Sequence, residues 1–269
     1  MGALLGFLDM TYCVGMMVNE GLAMIADTRT NAGVDNISSY KKLHVTEVTG
    51  ERVISIATAG NLSVTQTALA MLAEGVRMPG SEQPETLETA PSLFRAAQLA
   101  GYCLNQVRQD LQPTVAADAL RITASMLLGG QIKGGKMGLY LIYAQGNFIE
   151  CGQDTPYLQI GELKYGKPIL DRALRPDTPM SDAVKLGLIS FDSTIRSNIA
   201  VGPPFDMIVI PRDSLHGDQR RIEADDPYFR ELGRRWSEAL AQAHRGMPSP
   251  PWMETTEAAP ARPSISVVS

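Results

Sequence analysis

Two short apolar segments near the start of the chain flank a tight-turn sequence. Residues 13–18 (CVGMMV) and 22–26 (LAMIA) lie on either side of Asn19-Glu20-Gly21, which predicts a β-hairpin. Both segments are apolar at nearly every position instead of at alternate positions. We therefore expect both faces of their sheet to be covered, as in a layered structure.

The rest of the chain alternates between groups of strands and groups of helices. Apolar runs predict strands over residues 43–48, 53–58, 122–128, 139–144, 148–151 and 205–210. Helices are predicted over residues 64–76, 93–111, 184–195 and 227–244, and the second has a clear apolar stripe at the helical period. Grouped helices between runs of antiparallel strands predict an α+β fold, in which two sheets pack together and helices lie outside.

Composition excludes several classes of function. The net charge of −5 is spread along the chain, so we expect neither nucleic acid nor a membrane surface as a partner. No segment has the length of a membrane span. Cys13, Cys103 and Cys151 have no metal-ligand spacing and lie in apolar segments. We expect them to be buried free thiols of a cytoplasmic protein.

The two ends of the chain are predicted to lie outside a folded domain of residues 11–246. Residues 1–10 end with Met10 before Thr11, and methionine is readily removed before threonine. They are either a removed leader or the product of a start assigned too early, and we favour the second. Five prolines fall among Ser, Thr, Ala and Glu after residue 246, so residues 247–269 are predicted to be a disordered tail.

Several motifs resemble a known family. The run TYCVGMMVNEGLAMIADTRTNAG from Thr11, the KKL at 41–43 and the ATAGN at 57–61 resemble a proteasome β-type subunit. The segments IGELKYGKPILDR (160–172) and STIRSNIAVGPPFD (193–206) are similar to its bacterial homologue Anbu, the ancestral β subunit. This resemblance implies the four-layer αββα sandwich of N-terminal nucleophile hydrolases. It further implies a threonine-type peptidase that forms a homo-oligomeric ring or open ring.

The resemblance also implies a set of site residues and a substrate class. The nucleophile falls on Thr11, the acid on Asp27, the lysine on Lys42 and the oxyanion glycine on Gly60; the positions that support the amine fall on Glu162 and Ser197. A one-residue gap would exchange Lys42 for Lys41. Where relatives carry Ser, Asp and Ser, this chain departs with Glu162, Ser197 and Ala200. The implied substrate is a peptide or unfolded protein. No metal or cofactor is implied, and no unfoldase partner is identified.

A threonine at the N-terminus carries its own base. Its hydroxyl is a poor nucleophile until a base takes the proton, and the free α-amine of the same residue can do so. A buried lysine nearby would lower the pKa of that amine and needs a counter-ion, for which Asp27 is the candidate. The Gly60 N–H would stabilise the oxyanion. Residues 28–33 could pair with an extended peptide as an added strand.

Other interpretations remain open at this stage. Taken singly, Thr11 suits the start of a strand, Asp27 the end of one and Gly60 the entry to a helix. Their agreement with one another favours the catalytic interpretation. One alternative is a ring-forming scaffold or binding subunit with little or no peptidase activity. Another is an N-terminal nucleophile amidase that acts on a small non-peptide amide.

One glycine-rich run superficially matches a phosphate-binding loop. Residues 130–137 (GQIKGGKM) contain Gly and Lys, but the Gly-to-Gly spacing is one residue short. Met137 stands where a magnesium-binding Ser or Thr would be required. We predict a hairpin turn between two strands here instead of a phosphate site.

Overall fold

The computed structural model describes residues 11–31, 37–111 and 123–253. The strands in these ranges are β1 Tyr12–Val18, β2 Gly21–Asp27, β3 Arg29–Asn31, β4 Ile37–Ser39, β5 Leu43–Val48, β6 Arg52–Gly60, β7 Ala124–Ile132, β8 Gly138–Ile142, β9 Phe148–Glu150, β10 Tyr157–Gly161, β11 Phe205–Pro211 and β12 Asp218–Ile222. The helices are α1 Leu62–Glu74, α2 Leu93–Leu111, α3 Lys167–Ala173, α4 Met180–Ser197 and α5 Pro227–Arg245, followed by a short 3-10 helix at Pro251–Met253.

Two five-stranded sheets form the centre of the molecule. The first has the order β10-β1-β2-β11-β12, and the second has the order β5-β6-β7-β8-β9. Neighbouring strands are antiparallel in both sheets. Strands β3 and β4 form a separate two-stranded hairpin. The predicted hairpin of residues 13–26 is therefore the β1–β2 pair, in which Val18 lies opposite Gly21.

The two sheets and the helices outside them form four layers, and three apolar clusters fill the spaces between these layers. One lies between the second sheet and helices α1 and α2, and includes Ile54 and Leu104. Another lies between the first sheet and helices α4 and α5, and includes Phe191. The third joins the two sheets face to face and includes Met24 and Leu127. The predicted α+β fold, a four-layer αββα sandwich, is confirmed.

Strands β1 and β2 are covered on both faces, as their sequence predicts. Met16 packs in the helix-side cluster, while Met17 packs against the cluster between the sheets. Successive side chains of a strand point to opposite faces, so a strand with a layer on each side is apolar at consecutive positions. The prediction of buried free thiols is also confirmed, because all three cysteines are buried and unpaired.

The sequence patterns do not predict β3, β4, β10, α3 and β12. The first two have three residues each, which is too short for a periodic pattern. Strand β12 lies at the edge of its sheet, and its first four residues, DQRR, are exposed. Helix α3 has seven residues and begins next to a proline, so it is barely two turns long. Strand β10 has only five residues, three of them buried. Periodicity identifies elements with a long buried face, and these elements are too short or too exposed to have one.

The glycine-rich run is a hairpin turn. Strand β7 continues to Ile132 and β8 begins at Gly138, so a strand follows the run, as predicted. Gly130 has a φ of 151° and pairs with Ile54 of β6. A Cβ at Gly130 would lie 2.0 Å from Val53 O, so this glycine permits close approach of two strands.

The chain ends lie largely outside the described residues. Residues 1–10 and 254–269 are not described, and the predicted leader and most of the predicted tail fall on them. Residues 247–253 are exposed and contain the 3-10 helix. Within the described ranges, no helix is both long and apolar enough to cross a membrane.

Replacing Phe191 tests the packing of α4 on the first sheet. Its ring is fully buried and lies 4.4 Å from the ring centroid of Tyr12 and 4.7 Å from that of Phe205. We expect Phe191→Ala to lower the free energy of unfolding by about 3–5 kcal/mol, because it leaves a cavity. Urea unfolding at fixed protein concentration measures this. Phe94→Ala is the control: Phe94 is 52 % exposed, so its loss should be clearly smaller. Equal losses would contradict the packing described here.

Candidate active site

Thr11 lies at the start of β1 with its backbone fixed by the neighbouring strand. It is buried, and its carbonyl oxygen accepts a hydrogen bond from the Glu162 N–H at 2.7 Å. Its hydroxyl points to the second sheet, where Thr11 Oγ1 accepts a hydrogen bond from Lys42 Nζ at 2.9 Å. The residue is therefore held through both its backbone and its side chain.

Lys42 lies just before β5 and is 5 % exposed. Its ammonium donates hydrogen bonds to three oxygens: Thr11 Oγ1 at 2.9 Å, Asp27 Oδ1 at 2.8 Å and Arg29 O at 2.6 Å. Lys41, the alternative from the sequence, is exposed. The geometry therefore brings Lys42, and not its neighbour, to the threonine.

Asp27 ends β2 and is fully buried. One oxygen, Oδ1, accepts hydrogen bonds from both Lys42 Nζ at 2.8 Å and the Tyr12 N–H at 3.1 Å. Burial raises the pKa of the Asp27 carboxyl to about 6, although the Lys42 ammonium and the Tyr12 N–H both act to lower it. The carboxylate and the Lys42 ammonium form a buried ion pair at 2.8 Å, in which each charge offsets the other.

Gly60 ends β6 immediately before α1. Asn61 donates its N–H to Thr123 O on the β7 side at 2.9 Å, and Thr58 donates its N–H to Lys42 O on the β5 side at 3.0 Å. Amides along a strand point alternately to its two neighbours, so the Gly60 N–H points to the β5 side, beyond Lys42. A Cβ at Gly60 would lie 2.4 Å from Thr123 O, and the φ of this residue is 102°. The position therefore requires glycine.

Glu162 follows β10 and is buried. Its Oε1 accepts a hydrogen bond from the Lys164 N–H at 2.8 Å, and its Oε2 accepts one from Asn198 Nδ2 at 3.0 Å. The Glu162 side chain is thus fixed from two sides while its N–H holds Thr11.

The residue that meets Glu162 is Asn198, not the predicted Ser197. Ser197 is the last residue of α4, and its side chain is exposed. Asn198 leaves the helix in an extended conformation and is buried, and its Oδ1 accepts a hydrogen bond from the Ala200 N–H at 3.0 Å. The end of α4, which turns the side chain after Ser197 inward, is not visible in the residue pattern.

Gly161 is a site residue that the sequence analysis does not identify. It has a φ of 82°, and a Cβ there would lie 2.0 Å from Thr11 O. Glycine at the end of β10 therefore lets the backbone of Glu162 reach Thr11. The available signal is a glycine within a strand pattern, which often marks such a close approach.

The thiol nearest the site is poorly suited to act as a nucleophile. Cys13 is fully buried, and its Sγ lies 3.6 Å from Thr58 O. Burial raises the pKa of Cys13, and it raises the pKa values of Cys103 and Cys151 to about 12. Because the thiolate is the reactive form, a cysteine-based reaction at this site is disfavoured.

Comparison with solved structures identifies close relatives. A Gly-1 mutant of Anbu from Hyphomicrobium sp. strain MC1 is 45 % identical, with a TM-score of 0.80; the match covers 89 % of this chain and 98 % of that one. Anbu from Yersinia bercovieri is also 45 % identical, with a TM-score of 0.80 and coverage of 88 % and 98 %. The helical assembly of the Anbu complex from Pseudomonas aeruginosa is 43 % identical, with a TM-score of 0.81 and coverage of 90 % and 98 %.

The similarity extends over nearly the whole length of these relatives. No protein-family model and no curated protein matches the sequence. The family is therefore established by the solved structures, in which sequence identity and fold agree over the same residues. The chain belongs to the Anbu family, the ancestral β-subunits of the proteasome-like N-terminal nucleophile hydrolases.

Proposed function

We propose that the protein is a threonine-type peptidase whose mature chain begins at Thr11. The observation that carries this proposal is the buried contact between Lys42 Nζ and Thr11 Oγ1 at 2.9 Å, backed by Asp27 at 2.8 Å from the same nitrogen. A strand threonine with a purely structural role does not need a buried ammonium at its hydroxyl. Burying that charge is costly unless it is paired, so the arrangement favours a chemical role.

The Lys42 ammonium donates to the Thr11 hydroxyl and so cannot act as the base. It lowers the cost of forming negative charge on Oγ1. The remaining base is the α-amine of Thr11, whose ordinary pKa is about 8. The nearby positive charge disfavours protonation of this amine and so lowers its pKa. Thr11 then acts as both nucleophile and base, provided that residues 1–10 are not attached.

The reaction proceeds in two steps. Thr11 Oγ1 attacks the carbonyl carbon of the scissile bond while its proton passes to the α-amine. The Gly60 N–H stabilises the resulting oxyanion. The amine product leaves with a proton from the α-ammonium, so the C–N bond breaks and an ester to Thr11 remains. Water then attacks this ester while the α-amine takes a proton from it. The bond between the acyl carbon and Thr11 Oγ1 breaks, the α-ammonium returns the proton to Oγ1, and the acid product leaves.

The clamp formed by Gly161, Glu162 and Asn198 orients Thr11. The Glu162 N–H fixes the carbonyl group of the residue whose amine and hydroxyl both react. Asn198 Nδ2 donates a hydrogen bond to Glu162 Oε2 and so fixes the Glu162 side chain. We assign positioning roles to Gly161 and Asn198, since they act through neighbouring groups. Ser197, which is exposed, is not assigned a role.

The proposal also includes a substrate class, an assembly and a location. A peptide or unfolded protein binds as an extended strand alongside β3, which lies within the segment 28–33 predicted to pair with substrate. The helical assembly of the P. aeruginosa relative supports self-association of this chain into a homo-oligomer. We propose a cytoplasmic location, in keeping with its three buried, unpaired thiols.

Replacing the nucleophile tests the proposed function directly. We expect Thr11→Ala to abolish cleavage of unfolded peptides and labelling by a threonine-directed covalent inhibitor, while Thr11→Ser keeps measurable activity. Mass spectrometry of the intact chain checks that it begins at residue 11. Cleavage by a chain that retains residues 1–10 would refute the mechanism. Turnover of a small amide without cleavage of any peptide library would favour the amidase, and absence of both would favour the scaffold.

Adjacent lysines provide a matched pair for testing the ammonium. We expect Lys42→Met to lower kcat by at least about 100-fold, because the charge at Thr11 Oγ1 is lost while the buried volume is largely kept. Lys41→Met should leave kcat within about twofold, since Lys41 is exposed. Steady-state cleavage of one fluorogenic peptide measures both variants. Greater damage from Lys41→Met would show that the wrong lysine is assigned.

A second matched pair tests the glycine clamp. Gly161→Ala forces a Cβ to within 2.0 Å of Thr11 O at a φ of 82°, so we expect kcat to fall at least about tenfold as Thr11 is displaced. Gly152→Ala is the control, because a Cβ there meets nothing within 4 Å. Peptide cleavage and thermal unfolding are measured together. Unchanged kcat in a folded Gly161→Ala variant would rule out the positioning role.

A further inference from the structure

The backbone of Thr11 determines the side of the site that its α-amine faces. The Thr11 carbonyl oxygen accepts a hydrogen bond from the N–H of Glu162, which follows β10. The Tyr12 N–H instead donates to Asp27, at the end of β2. The N–H and C=O of one strand residue point to the same neighbouring strand, and those of the next residue point to the other. The α-amine of Thr11 therefore faces β10, away from Asp27.

The leaving nitrogen of a substrate has to lie close to this amine. In the proposed reaction the α-ammonium gives its proton to the amine product as the C–N bond breaks, and such a transfer requires hydrogen-bond distance. The Gly60 N–H, which stabilises the oxyanion, points instead to the β5 side of the site. The substrate residue that carries the leaving nitrogen therefore lies on the β10 side, where Glu162 and Asn198 contact each other.

Two large apolar side chains are exposed next to this contact. Leu163 follows Glu162 and is 46 % exposed, and Ile199 follows Asn198 and is 80 % exposed. The side chains of Glu162 and Asn198 turn inward and bind each other, while the next residue of each segment turns outward. We call Leu163 and Ile199 the leaving-group surface. Most of Ile199 and nearly half of Leu163 have no cover from the part of the chain that the structure describes.

The backbone around Ile199 is fixed although its side chain is exposed. Arg29 of β3 donates a hydrogen bond from Nη1 to Ile199 O at 2.9 Å, and the Ala200 N–H donates to Asn198 Oδ1 at 3.0 Å. The Arg29 guanidinium also packs on Gly202, where a Cβ would lie 2.5 Å from Arg29 Cζ. Ile199 is thus anchored to the strand alongside which the peptide is proposed to bind. A side chain on a fixed backbone loses little conformational freedom when it contacts a ligand.

The backbone around Leu163 is fixed in a similar way. The preceding Glu162 N–H donates to Thr11 O at 2.7 Å, and the following Lys164 N–H donates to Glu162 Oε1 at 2.8 Å. Leu163 therefore lies next to the residue whose N–H holds the proposed nucleophile.

We propose that the leaving-group surface binds the substrate residue on the C-terminal side of the scissile bond and selects an apolar side chain there. This inference rests on the proposed peptidase and adds a substrate preference to it. Contact of an apolar side chain with Leu163 and Ile199 removes apolar area of both partners from water, which favours binding. Arg29 contacts the Ile199 carbonyl, and the exposed Lys164 follows Leu163. Because like charges repel, a basic substrate side chain is disfavoured at this position.

Two internally quenched peptides test the preference on the protein that begins at Thr11. They share one sequence and differ only in the residue after the scissile bond, which is leucine in one and lysine in the other. We expect the unchanged protein to cleave the leucine peptide with a kcat/KM at least about tenfold higher. Mass spectrometry of the products checks that both peptides are cut at the same bond.

Substitutions on and away from the surface test which residues select the substrate. Leu163→Glu and Ile199→Glu should each lower the ratio of the two kcat/KM values at least about threefold, because a carboxylate replaces an apolar contact and attracts lysine. Ile149→Glu is the matched control. Ile149 is 45 % exposed on β9, an edge strand of the second sheet, and its replacement should leave the ratio unchanged. Thermal unfolding checks that each variant is folded.

The results distinguish this inference from the proposed function. A ratio unchanged by both Leu163→Glu and Ile199→Glu overturns the assigned surface and leaves the peptidase intact. An equal change in Ile149→Glu also overturns it, because the effect then comes from the added charge alone. Faster cleavage of a third peptide with aspartate at this position than of the leucine peptide would show selection by charge and overturn the apolar preference. Cleavage of no peptide overturns both the surface and the peptidase.

Discussion

The buried ion pair between Lys42 and Asp27 is the constraint on which the site depends. Neither charge would be stable alone at this depth, because removal from water costs several kcal/mol for each ion. As a pair they offset each other's charge, and the Lys42 ammonium donates a hydrogen bond to the Thr11 hydroxyl. The Thr11 hydroxyl therefore depends on Lys42 for its charged neighbour, and Lys42 depends in turn on Asp27.

This pair also explains why the site lies between the two sheets. Asp27 ends β2 in the first sheet, whereas Lys42 leads into β5 in the second. The Tyr12 N–H donates a hydrogen bond to the same oxygen of Asp27, so β1 and β2 are held in register next to Thr11, the proposed nucleophile. Face-to-face packing of the sheets thus brings the ammonium to the hydroxyl, and any shift between the sheets would separate them.

Around Gly161 and Gly60, close backbone contacts, not charges, determine the structure of the site. Gly161 and Gly60 both stand where a Cβ would collide with a neighbouring backbone, and both have positive φ angles. Glycine at these points lets β10 approach the Thr11 carbonyl and lets β6 turn into α1. Asn198 then fixes Glu162 from the end of α4. The end of helix α4, in an outer layer, thereby fixes a residue that follows strand β10.

The sequence predicted the layers, which the structure confirms, and proposed Thr11, Asp27 and Lys42 as site residues, which the structure brings together. Apolar residues at consecutive positions in β1 and β2 required cover on both faces, and the helical period of α2 and α4 placed helices outside the sheets. The resemblance of the motifs around Thr11, Asp27 and Gly60 indicated the family. Only the tertiary structure shows that Lys42 contacts Thr11, that Asn198 contacts Glu162 and that Gly161 lies against the Thr11 carbonyl. These choices depend on which side chain turns inward and on how closely two backbones approach, and both are set by contacts between elements distant in sequence.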